Sequence, residues 1–178
     1  AGKNVLVEKP FTMTLAEART LYELAARKGL IVTPYQNRRF DACFLTTKKV
    51  IESGKLGEIV EIESHFDYYR PEAPTNPGKP QDGMFFGLGV HTLDQIISLF
   101  GRPQHVSYDI RSLRNPANPD DTFEAQLFYG RLKAIVKTSH LVKIDYPKFI
   151  VHGTKGSFIR YGIDQQETSL KAGIMPGE

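Results

Sequence analysis

The tightest constraint on the fold is a strand, a helix and a second strand compressed into the first thirty-odd residues. Val5-Leu6-Val7 opens an apolar run that ends at Glu8-Lys9-Pro10, and the run reads as a buried strand. Pro10 fixes its own φ and removes an amide, so the chain must turn there. Thr14-Leu15-Ala16-Glu17 is a capping box, in which a threonine hydroxyl and a glutamate satisfy amides reciprocally. Leu15, Ala18, Leu21, Tyr22 and Ala25 then recur at helical spacing until Gly29, which suits the left-handed residue after a helix. Glu23 and Arg27, four apart, predict an ion pair on the outer face. Leu30-Ile31-Val32 follows as a short buried strand. Strand, helix and strand in this order form a βαβ unit and a parallel sheet, so residues 1–34 read as the tail of a doubly wound domain.

Beyond Tyr35 the pattern changes twice. Asp41 is placed to cap a second helix carrying Phe44, Leu45, Thr47, Val50 and Ile51, closing at Gly54. From Val60 the hydrophobic period becomes two: Val60, Ile62, Ser64, Phe66 and Tyr68 alternate with Glu61, Glu63, His65 and Asp67, as in a strand with one buried face. Residues 71–83 carry Pro71, Pro74, Pro77, Gly78, Pro80 and Gly83, a long loop of the kind that often binds or covers a ligand. A third helix is expected from about Gly89 to Gly101. Strands are expected over 104–111, 122–129, 132–139, 148–152 and 157–161, with short turns that favour an antiparallel sheet. The fold class is therefore an α/β tail of a Rossmann domain (1–34), then an α+β domain with a predominantly antiparallel open sheet (35–178). The missing initiator methionine and the ending in Ile174-Met175-Pro176-Gly177-Glu178 suggest a piece of a longer polypeptide, truncated at its C-terminus.

Composition excludes several classes. A net charge of +3 with no block of like charges gives no nucleic-acid surface. Cys43 is the single cysteine, which rules out an internal disulfide framework and suits a reducing cytoplasm. No apolar run approaches the ~20 residues of a membrane span. One cysteine and five scattered histidines lack the spacing of a metal site, and no G-x-S-x-G elbow or phosphate-binding glycine loop occurs.

Candidate chemistry gathers at three places. Lys9 follows the last apolar residue of the first strand, and ligands of open α/β sheets bind beyond the carboxyl ends of strands. An ordinary strand-end lysine is the competing reading. In the third helix Leu93, Ile96, Ile97 and Phe100 form the core stripe, with His91, Asp94, Gln95 and Ser98 on the opposite side. A histidine near a helix N-terminus is favoured as the neutral imidazole, able to accept a proton. Gly87 and Gly89 would let a ligand approach the backbone, although a structural histidine also fits. Arg38 and Arg39 could clamp a carboxylate, phosphate or sugar hydroxyl, and Tyr68, Tyr69 and Arg70 stand at the mouth of the long loop. A solvated arginine pair and ordinary strand-end tyrosines explain the same residues.

Taken together, Ala1-Gly2-Lys3-Asn4-Val5-Leu6-Val7-Glu8-Lys9-Pro10, the capping-box helix, Asn37-Arg38-Arg39-Phe40 and Gly89-Val90-His91-Thr92-Leu93-Asp94 resemble the Gfo/Idh/MocA oxidoreductase family in order and spacing. The resemblance implies a two-domain enzyme that binds NAD or NADP and moves hydride between nicotinamide and a hydroxyl or carbonyl of a sugar, cyclitol or similar small polar substrate. By motif position, it makes Lys9, His91 and Asp94 the catalytic residues: the lysine beside nicotinamide and substrate, the histidine as general base, the aspartate orienting it. Glu8, Lys9, Pro10 and Arg39 fall to the cofactor, and Arg38, Tyr68 and Tyr69 to the substrate. It also implies a homo-oligomer formed through the open face of the sheet. The pyrophosphate-binding G-x-G-x-x-G is absent, so the piece alone is expected to be inactive. Many family dehydrogenases carry an aspartate four residues before the histidine, where this chain has Gly87; Asp94 or Asp82 would have to substitute. Gly87 therefore keeps open a non-catalytic nucleotide- and sugar-binding regulator on the same scaffold.

Overall fold

The computed structural model describes residues 2–75 and 78–175; Pro77 of the long loop and the expected terminal turn at 176–178 lie outside them. Two compact units, residues 1–37 and 38–178, are described separately.

In the first unit, β1 (Val5–Val7) pairs in parallel with β2 (Val32–Pro34), with Val5 opposite Val32. They are joined by α1 (Leu15–Arg27). The capping box forms as expected: Glu17 N donates to Thr14 Oγ1 at 3.2 Å, and Thr14 N to Glu17 Oε2 at 2.9 Å. Gly29 takes φ +61° beyond the helix. β2 starts two residues later than the sequence suggests because Leu30 N donates back to Ala25 O at 2.9 Å and so completes the helix end. Glu23 and Arg27 do not form the expected ion pair. The strand is also not buried: Val5 is 49 % and Leu6 61 % exposed. A two-stranded sheet beside one helix encloses no interior, and α1 itself buries no residue. The Lys9–Pro10 bond is cis.

The second unit is built on a six-stranded sheet. Its strands are β3 (Ile59–His65), β4 (His105–Arg111), β5 (Thr122–Tyr129), β6 (Leu132–Ser139), β7 (Phe149–Gly153) and β8 (Gly156–Arg160). The order is β4-β5-β6-β3-β7-β8, antiparallel throughout except that β3 runs parallel to β6. That parallel pair is possible because the long segment from 66 to 131 returns the chain to the same edge of β3. The alternation read from sequence sets the faces. Ile62, Phe123, Leu127, Val136, Phe149 and Val151 are fully buried, and α2 (Ala42–Glu52) and α3 (Val90–Phe100) cover them with Cys43, Phe44 and Ile96. Each fully buried large side chain contributes roughly 1.5–3 kcal/mol, so this layer holds the unit together. The other face carries cross-strand ion pairs, Lys133 with Glu61 and Lys137 with Glu124. A short α4 (Gln165–Lys171) closes the chain. Asp41 precedes α2 but makes no side-chain cap; its carboxylate accepts from Arg38, and Asp164 Oδ1 accepts from Ala42 N at 3.4 Å instead.

Candidate functional site

The helix bearing His91 begins earlier than its glycines suggest. A five-residue π-turn, Phe85–Gly89, runs straight into α3. Asp120, on the connector into β5, supplies the cap: Phe85 N donates to its Oδ2 at 2.7 Å and Met84 N to its carbonyl at 2.9 Å. Gly83 is required here, since any Cβ would strike the Asp120 carboxylate. His91 thus lies in the second turn of a continuous helix and not at its N-terminus, so the dipole argument for its neutral form does not hold.

The two other glycines divide between packing and space. A Cβ on Gly89 would sit 3.1 Å from Phe85 and 3.2 Å from Phe123. Gly89 therefore exists to bring the helix down onto β5 and gives a ligand no approach. Among the described residues, a Cβ on Gly87 would come no nearer to any atom than Met84 Cε, at 3.9 Å.

Two of the four polar-side residues of α3, His91 and Gln95, are buried, contrary to a simple two-faced reading. His91 is 4 % exposed and Gln95 1 %, whereas Ile97, assigned to the core stripe, is 43 % exposed. Gln95 and Asp94 turn toward the 3-10 turn Asn37–Phe40. Gln95 Nε2 donates to Arg38 O at 2.7 Å, and Arg39 grips Asp94 with two bonds of 2.7 Å. This fork-to-fork geometry is the strongest form of the pair. Arg38 lies over Phe66, 5.2 Å from the ring centroid, and donates to Asp41 at 3.3 Å and Glu167 at 3.0 Å. Both arginines do clamp carboxylates, but these are the protein's own.

Tyr68 stands between two cationic or polar neighbours: Arg70 stacks 4.5 Å from its centroid, and the His140 ring meets it edge-on at 5.7 Å. Burial pushes its phenol above the usual value. Tyr69 is 49 % exposed, with Lys143 over its ring. The long loop after them is strapped down. Arg114 Nη1 donates to the carbonyls of Arg70 and Glu72, each at 2.8 Å, and Asn118 Nδ2 to Pro74 O at 2.8 Å. Arg114 is itself fixed by Asp121 at 2.9 Å. Burial pushes Asp121 up, but amide bonds from Leu113 and Arg114 and the guanidinium together hold its carboxyl below the ordinary range. Asp82 spends an oxygen on Lys79 N at 2.8 Å.

The expected residues therefore fall into two sets. Glu8, Lys9 and Pro10 follow the carboxyl end of β1 in the first unit, the end at which open α/β sheets bind ligands. Arg38, Arg39, Tyr68, Tyr69, His91 and Asp94 belong to the second. Sequence reasoning passed over Arg114, Asn118, Asp120, Asp121 and His140. The run Asn115-Pro116-Ala117-Asn118-Pro119-Asp120-Asp121 was the available signal, because such residues cap and bridge turns. Among the described residues no cluster of three His, Cys, Asp or Glu could hold a metal, and no helix is long and apolar enough to cross a membrane.

Known proteins match this arrangement. Residues 48–178 match the profile described as oxidoreductase family, C-terminal alpha/beta domain, and residues 1–36 that of the oxidoreductase family, NAD-binding Rossmann fold. The uncharacterized oxidoreductase YhhX of Escherichia coli K12 is 85 % identical over the whole chain, which spans 52 % of that protein. Its crystal structure superposes with a TM-score of 0.95 over 99 % of this chain. The scyllo-inositol 2-dehydrogenase (NADP+) IolW of Bacillus subtilis 168 is 40 % identical over 99 % of this chain and 50 % of its own length. An oxidoreductase structure from Bacillus cereus, 55 % identical, gives a TM-score of 0.94 over the whole chain and 53 % of its own. The chain thus spans about half the length of the relatives it matches.

Proposed function

We propose, for a chain that belongs to the Gfo/Idh/MocA oxidoreductase family, that the full-length protein is an NAD- or NADP-dependent dehydrogenase of a sugar, cyclitol or similar small polar alcohol. The observation that carries this reading is the Gly89–Asp94 motif, held on a helix docked by Gly89 against the sheet and fastened through Asp94 to Arg39. The similarity to a cyclitol dehydrogenase supports the substrate class.

Nicotinamide, when bound, accepts or donates the hydride. Glu8, Lys9 and Pro10 would hold its reactive end beyond β1. The Lys9 ammonium would orient the substrate hydroxyl and stabilise negative charge developing on its oxygen. His91, enclosed among packed side chains, would take the hydroxyl proton. Asp94 spends its carboxylate on Arg39, so its part is to hold α3 in place, and Arg39 acts through that same pair. Arg38, Tyr68 and Tyr69 would line the approach of the substrate. The reading includes a cytoplasmic location and a homo-oligomer joined through the ion-paired sheet face. The test is turnover of full-length protein on neutral sugars and cyclitols with NAD or NADP: Lys9→Ala and His91→Ala should each lower kcat by about 10²–10⁴-fold. Unchanged turnover in either variant removes that residue from the mechanism.

Gly87 favours a second reading, a regulator that binds nucleotide and polyol without turnover. Since no described residue crowds a Cβ at Gly87, Gly87→Asp should fold and should raise activity if a missing carboxylate limits the reaction. Tight cofactor binding without turnover in either form would favour the regulator.

A further inference from the structure

The six-stranded sheet is open along β4. This strand pairs with β5 in an unbroken antiparallel register, from His105 opposite Phe128 to Arg111 opposite Thr122. Among the described residues no strand pairs with its other side. A bare edge is a template for another strand, and proteins ordinarily blunt one with proline, lysine, a bulge or a short run. The seven residues of β4 contain none of these devices.

Both faces of the strand are exposed along its length. Val106, Tyr108 and Ile110 continue the row of Leu127, Ala125 and Phe123 on β5, yet they are 49 %, 73 % and 37 % exposed while those three are buried. On the opposite face Asp109 stands against Glu124 in the register, and Arg111 offsets it at 2.9 Å. Like charges placed opposite each other destabilise a sheet, so Asp109 gains from a hydrogen-bond donor on its open side.

A second copy of the strand supplies one. Laid antiparallel across a two-fold axis at Ser107, the sequence sets Val106 against the partner's Tyr108 and His105 against the partner's Asp109, each contact made twice. Apolar row meets apolar row, and the aspartate meets an imidazole held by stacking on Phe128 at 4.3 Å. Other registers fit worse. An axis at Tyr108 puts His105 against the partner's Arg111, an axis at Asp109 puts two aspartates face to face, and an axis at Val106 puts Asp109 against the partner's Pro103. Self-complementarity of this kind is what an isologous interface requires, and antiparallel addition repeats the mode that β4 already uses with β5.

We infer that β4 is an interface between two copies of this chain, joining their sheets edge to edge about a two-fold axis at Ser107. It is separate from the sheet-face contact and independent of the dehydrogenase reading, so failure of either leaves it standing. One strand pair buries less than the roughly 1,200–2,000 Å² of a standard interface, so the contact is weak by itself and is best read covalently as well as by mass. Full-length protein carrying Ser107→Cys, Asp109→Cys or no added cysteine would be mildly oxidised and run without reductant. Opposed Cα atoms of an antiparallel pair lie roughly 4.5–5.5 Å apart, within reach of a disulfide, whereas Asp109 and the partner's Asp109 would be about 13 Å apart along the strands. Sedimentation velocity over a concentration series would compare Val106→Lys with Tyr108→Lys against Val106→Lys with Tyr108→Glu.

Ser107→Cys should form the linked dimer about tenfold faster than Asp109→Cys or more. The first double variant sets lysine against lysine and should weaken self-association by about tenfold or more. The second sets lysine against glutamate and should restore most of it, with thermal melting unchanged in both because the two positions are exposed. Crosslinking of Ser107→Cys no faster than that of Asp109→Cys overturns the inference, as does equal association of the two double variants. So does an edge covered by the rest of the full-length chain, seen as no crosslink and no response to either double variant.

Discussion

Lys148 carries a buried ammonium, and replacing it should stabilise the protein. Its side chain is 4 % exposed, and its ammonium lies 4.4 Å from the Phe66 centroid and 5.2 Å from that of Phe149. The ammonium donates a long hydrogen bond to Ser64 Oγ, at 3.4 Å. Burial lowers the amine from 10.5 to about 8. A drop of that size corresponds to ~3 kcal/mol of strain on the charged form. The unfolded chain binds the proton more tightly, so stability should rise as pH climbs from about 8 to 10.5 and stay flat below about 8. Lys148→Met keeps the length and removes the charge. It gives up cation–π and hydrogen-bond contributions of roughly 1–2 kcal/mol, so a net gain of about 1–2 kcal/mol is expected at pH 7. Urea unfolding followed by circular dichroism, at pH 7 and pH 10.5, would measure it. The variant's advantage should vanish at the higher pH, where wild-type Lys148 is largely neutral. A variant less stable than wild type by the same margin at both pH values would refute the reasoning, because the charge would then carry no penalty.

Three further outcomes follow from the same geometry. Gly87→Ala should stabilise by up to about 1 kcal/mol through helix propensity, while Gly89→Ala should destabilise by about 1–3 kcal/mol because its Cβ is forced on the immobile Phe123; thermal melts that show the same sign for both would contradict the packing. Burial first, then Arg114 and Arg70, lower the His140 pKa from 6.5. The unfolded state therefore binds the proton first as pH falls below 6.5, stability drops over that range, and His140→Gln should lack this component in pH-dependent melts. Breaking the clamp with Asp94→Ala should cost about 1 kcal/mol, since Arg39 is half exposed, and should lower kcat; the double reversal Arg39→Asp with Asp94→Arg should recover part of both, and no recovery would mean that Asp94 acts other than through Arg39.

Several elements were legible in the sequence because local chemistry decides them. Thr14 and Glu17 cap α1 by reaching three residues along the chain, and Ile62, Ser64 and Phe66 share a buried face because a strand's side chains alternate. Gly29 takes positive φ where the chain turns beyond α1. The motif of His91 was equally visible, as was the missing carboxylate at Gly87.

Other matters belong to contacts between residues far apart in sequence, which no local pattern records. The parallel pairing of β3 with β6 joins segments some seventy residues apart. Asp120 moves the start of the third helix back from Gly89 to Phe85, and with it moves His91 away from the helix end. Arg38 and Arg39 read as free cations along the chain, and only the fold brings Asp41, Glu167 and Asp94 to them. His140 reads as one histidine after a strand. The tertiary structure buries its ring edge-on against Tyr68, where neither nitrogen forms a hydrogen bond. The sequence by itself thus determined the order of elements, their faces and the motif residues. Which charges are already spent, and which polar atoms still lack a partner, was decided only by the packing of distant segments.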